Sequence, residues 1–134
     1  PLNLSPYFSS YLSPTGISHL IILSESISTL GSLVEIGVFD SDGIINSGNC
    51  SNNIGEVLVG SAVWQQVQTS IVTIGSLDMC SLGGMQTAGY RNGNNIIFKI
   101  WDPITKTELI GDPIFSSGIG EFGEPITVVS EIIY

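Results

Sequence analysis

Few residues in this chain can do chemistry, and their spacing restricts what that chemistry is. His19 is the sole histidine and Cys50 and Cys80 are the two cysteines among 134 residues. Nucleophilic catalysis needs a nucleophile, a base and a group that orients the base. His19 sits inside the apolar run "ISHLIIL", with no cysteine beside it. It reads as a structural histidine, and no motif supports an enzyme. One histidine and two cysteines at this spacing fit no zinc signature. The cysteines either close a loop of about 30 residues as a disulfide or persist as two buried thiols.

Calcium is the one cofactor the sequence offers. "DSDG", Asp40 to Gly43, places two carboxylates beside a turn glycine at a strand end. Calcium takes several such oxygens. The EF-hand continuation fails, because its last ligand position falls on Ser51. A site would gather Asp40, Asp42 and Asp78 across loops, with Asn46, Asn49 or Asp102 completing it. The competing reading is an ordinary Asp-rich turn. Trp64 and Trp101 each end a strand candidate. Exposed aromatic rings stack on sugars, and buried ones fill cores. Trp101 shares parity with Lys99 and is the candidate glycan contact; Trp64 is assigned to the core.

The elements that position these residues are strands. Charged residues make up only 11% of the chain against 43% hydrophobic. Val, Ile and Thr abound and no helix-period run appears. Strand candidates fall at 17–24, 34–40, 56–64, 70–75, 95–101, 106–110 and 126–133, with "FSSGIGEFGEP" as a glycine-rich loop. The pattern predicts an all-β, Ig-like antiparallel β-sandwich of seven to eight strands, with a closed barrel as the alternative. The net charge of −9 disfavours nucleic acid. No stretch reaches the roughly 20 apolar residues of a membrane span. A start at Pro1 fits either a processed secretory precursor or a shortened product.

The opening segment, "PLNLSPYFSSYLSP", is the sharpest feature. Leu2, Leu4, Phe8 and Leu12 share one parity, as in a half-buried strand. It divides the chain into an N-terminal extension, 1–16, ending in a Pro-Thr-Gly hinge, and a domain, 17–134. The four apolar residues have three possible fates. They pair with their own domain, stay disordered, or enter a neighbouring subunit as a donor strand.

Residues 17–130 resemble a module of secreted and cell-surface proteins of aquatic bacteria. The resemblance rests on "GSLVEIGVFD", "GEVLVGSAVW", "IVTIGSLD" and, most specifically, "GYRNGNNIIFKIWD". Val34-Glu35 stands where that module commonly has Gly-Asp, and "IGSLD" replaces its Trp-Gly-Asp-Asp. The resemblance implies a β-sandwich in an exported protein, without a catalytic role. Taken together, the sequence expectation is an extracellular or cell-surface structural subunit of a filament or pilus-like fibre. It would partner itself through N-terminal strand donation. The alternative is a carbohydrate- or calcium-binding module of a larger surface protein.

Overall fold

A computed structural model describes residues 7–134. Leu2 and Leu4 lie outside the described residues. The elements are β1 (Ser18–Leu23), β2 (Glu35–Ile44), β3 (Ile54–Val63), β4 (Thr69–Ile74), β5 (Ile97–Asp102), β6 (Thr107–Ser117) and β7 (Ile126–Ile133), with a short 3-10 turn at Cys80–Leu82. No helix among the described residues is long and apolar enough to cross a membrane.

The seven strands form one sheet in the order β3-β2-β5-β6-β7-β1-β4. The expected all-antiparallel pairing needs one correction: β1 and β7 run parallel, with Leu20 opposite Ile126 and Leu23 opposite Val129. Parallel neighbours need a long connection. These are the first and last strands, so the whole domain serves as that connection. The sheet curls toward a nearly closed barrel. At its ends β3 and β4 approach closely: a Cβ on Gly60 would lie 2.7 Å from Ile71 Cγ2 and 3.1 Å from the Val72 carbonyl.

β6 belongs to both halves of the barrel. Its pairing with β5 stops at Gly111, and its pairing with β7 starts at Asp112. Pro113, which lacks an N–H, therefore falls beyond the β5 ladder. The strand runs to Ser117, so the first residues of the expected glycine-rich loop are strand.

Alternation sets the core. Ile21 and Leu23 of β1, Ile36 and Val38 of β2, Phe98 and Ile100 of β5, and Val129 of β7 all point inward. Trp64, just after β3, is wholly buried as assigned. Its backbone exchanges hydrogen bonds with Leu33 and Val34, which fixes the entry to β2.

Residues 7–16 form no strand, so over these described residues the expected N-terminal strand is an arm without a ladder. Its parity is nonetheless that of the sequence. Phe8 is buried and Leu12 packs half-buried against the core, whereas Ser9, Tyr11 and Ser13 are exposed and Tyr7 is only partly covered.

Candidate functional site

The arm and its seat form the most developed site. Ile36 and Val38 face the core, so Glu35, Gly37 and Phe39 face outward on β2. Register places Trp101 beside Glu35 and Lys99 beside Gly37 on β5, and Glu108 beside Trp101 on β6. The arm lies on this outer face. The Glu35 carboxylate accepts two successive arm amides, Tyr7 N–H at 3.0 Å and Phe8 N–H at 3.1 Å. The Tyr7 ring stacks on Trp101 with centroids 3.8 Å apart and planes 2° from parallel. Its hydroxyl donates to Glu108. That carboxylate raises the phenol above its ordinary pKa.

Glycine makes the seat. A Cβ on residue 37 would lie 2.9 Å from two atoms of the Phe8 ring. Phe8 also meets Phe39 edge-on at 5.6 Å. Further along, Ser10 donates its hydroxyl to the Leu58 carbonyl at 3.1 Å, and Thr15 donates to the Gly75 carbonyl at 2.6 Å. Lys99 borders the seat, 2.9 Å from Glu56 and 3.8 Å from Glu108, with its ammonium 4.6 Å from the Phe39 ring centroid. One face of Trp101, the candidate glycan platform, is therefore already occupied by Tyr7.

The carboxylates considered for calcium separate into two places. Asp40 is buried, and both its oxygens are engaged by N–H donors. Arg91 N–H donates at 2.8 Å, Asp42 N–H at 2.9 Å, and the Asn94 amide at 3.0 Å. Asp42 is exposed, and its backbone carbonyl receives Asn94 and Arg91. Asp78 lies in another loop, where it receives Cys80 N–H and the Gln86 amide. Among the described residues, no three His, Cys, Asp or Glu side chains gather as a metal-holding group. The sequence expectation of a shared Asp40, Asp42 and Asp78 site is thus not assembled. Hydrogen bonds to the chain's own amides take up Asp40, as in an Asx-type turn.

Around Asp78 the two long loops are sewn together. Cys50 and Cys80 form a disulfide. Next to it, buried Asn46 and Gln86 share a hydrogen bond of 3.1 Å. Gln86 also accepts from Asn52 N–H, and Asn46 accepts from Asn53 N–H. The loops that follow β2 and β4 therefore hold each other in place.

Comparisons with protein-family models, with curated proteins and with solved structures find no match to this chain.

His19 is wholly buried between Tyr90 and Phe122. Its Nδ1 accepts Gly123 N–H at 3.3 Å, so the proton sits on Nε2, which donates to Thr127 Oγ1 at 2.7 Å. No cysteine or carboxylate is bonded to the ring. This is the structural histidine that the apolar run implies. Burial lowers its pKa, partly offset by the Glu124 charge. The unfolded chain then takes up a proton before the folded chain does, so stability falls as pH drops from about 6.5 toward the lower folded value. The expected slope is at most about 1.4 kcal/mol per pH unit. Urea unfolding between pH 7.5 and 5 would measure it, and His19→Gln should flatten it. Glu131 is separated from this window. Four donor groups, the hydroxyl and N–H of Ser28 and of Thr29, help hold its pKa at about 2, so its stabilisation is full above pH 4.5 and lost only below.

Glu35 and Tyr7 are the residues of this candidate site that sequence reasoning missed. The available signal was parity. Glu35 and Gly37 alternate with the buried Ile36 and Val38, which leaves a glycine and a carboxylate side by side on the outer face of β2.

Proposed function

We propose that this protein is a self-associating structural subunit, exported to an extracellular or cell-surface setting, whose N-terminal arm is passed from one copy to the next. One observation carries the reading: residues 7–16 of the arm are held by a shaped seat and by no β-ladder. Phe8 fits against Gly37, Tyr7 against Trp101, and two arm amides against Glu35. A neighbour's arm would find the same contacts. The connection supports exchange. Gly16 has φ of +89°, is exposed, and has nothing within 4 Å of where a Cβ would stand, so the chain can redirect there at little cost. A head-to-tail contact of this kind propagates as a fibre when its rotation does not close into a ring. Disulfides persist in oxidising compartments, so the Cys50–Cys80 bridge supports export.

Leu2 and Leu4 would extend the donated segment beyond Phe8 and Leu12. Deleting residues 1–13 should leave a folded monomer and reduce assembly at least tenfold, read by sedimentation and negative-stain imaging. Fibres of unchanged yield from the deleted chain would overturn the reading.

A further inference from the structure

The half of the barrel opposite the arm seat presents an unusual surface. In Ser18–Leu23 of β1, Thr69–Ile74 of β4 and residues 126–129 of β7, the only ionisable side chain is His19. His19 points inward and is wholly buried. The outward positions are therefore free of charge. Register aligns Val72, Leu20 and Ile126 in one row across three neighbouring strands, and Ser70, Ile22 and Val128 in the next. Val72 is 61% exposed and Ile126 is 48% exposed. Contiguous apolar rows on an exposed sheet face mark an interaction surface.

The occupant is constrained by charge and by position. The chain carries −9 with only three fixed cations. Two copies repel wherever their carboxylates meet, so close contact is favoured on a face that has none. This face also adjoins the hinge: Pro14, Thr15, Gly16 and Ile17 line one cleft with Ser18, Val72 and Ile74. An arm that turns outward at Gly16 keeps its own domain within a few residues of the acceptor. The surfaces flanking Gly16 are then the ones brought together.

We infer that the uncharged outer face formed by β4, β1 and residues 126–129 of β7 packs against a second copy of this chain, as the domain-to-domain contact that accompanies arm exchange. The inference rests on the self-association proposed above. Sheets pack face to face through such largely apolar, uncharged rows at about 10 Å spacing. Because the contact itself is neutral while the chains repel, added salt strengthens it.

The test uses the full chain with Val72→Glu and Ile126→Glu together, and, as a milder pair that retains strand preference, Val72→Thr with Ile126→Thr. Sedimentation velocity is run at low and at 0.5 M sodium chloride. The glutamate pair should weaken association at least tenfold and the threonine pair severalfold, with circular dichroism unchanged and wild-type association rising with salt. If both pairs assemble like wild type, this inference falls and the arm-exchange reading stands. If the face variants lose assembly but deletion of 1–13 does not, the face is the interface and the arm reading falls. A wild-type chain that is monomeric at every concentration and salt overturns both.

Discussion

Replacing Asp40 with alanine is expected to lower stability by about 3 kcal/mol, a fall in Tm of roughly 10 °C for a domain of this size. Asp40 is 1% exposed and receives N–H groups from Arg91, Asp42 and Asn94. It joins the middle of β2 to the turn that leads into β5. Alanine leaves those donors without an acceptor, and an unmade buried hydrogen bond costs more than a made one contributes. Asp40→Asn keeps the shape but turns one acceptor into a donor facing donors, so it should recover only part of the loss. Asp42 supplies its backbone to this network and leaves its side chain exposed. Asp42→Ala should therefore change stability by no more than about 0.5 kcal/mol. A cation site built on both carboxylates would give the opposite pattern: comparable losses at the two positions, and a Tm that rises with calcium. Thermal melts of the three variants, with and without calcium, separate the two accounts.

The strands were legible because alternation and β-branched residues act locally. β1, β4 and β7 fall within one residue of the segments read from sequence. β6 was read short because its second half contains Pro113 and serines, which look like loop. Pairing with β7 keeps that half extended. The parallel contact of β1 with β7 had no local signature, since it joins strands from opposite ends of the chain. The acidic residues show the same divide. "DSDG" signals a turn with available oxygens, but whether those oxygens meet a cation or an amide depends on what the 91–94 turn brings to them. The arm's inward parity was visible in Phe8 and Leu12. Its resting place was not, because the receiving groups, Glu35, Gly37 and Trp101, are spread over two strands that only register brings together.

Gly37→Val should close the arm's seat while leaving the barrel folded. A valine Cβ would stand 2.9 Å from the Phe8 ring and 2.8 Å from Phe39 Cε1, and the branch methyls would extend further. Valine suits the outer face of a strand, so β2 itself gains propensity. The arm has less to hold it. Burying Phe8 contributes roughly 1.5–3 kcal/mol, against ordering costs of about 1–2 kcal/mol for each arm residue. Losing that one contact is enough to tip the arm off its seat. Chymotryptic cleavage at Tyr7, Phe8 and Tyr11 should rise at least tenfold, and Trp101 emission should change as Tyr7 unstacks. An arm that stays protected in this variant would show that Phe8 is not what seats it. The variant also isolates direction of exchange. Gly37→Val subunits can donate an arm but cannot receive one, whereas subunits lacking residues 1–13 can receive but not donate. Each alone should stay small. Mixed at equal concentration, they should form a one-to-one complex that grows no further, because the contact that propagates a fibre is blocked at one end and missing at the other.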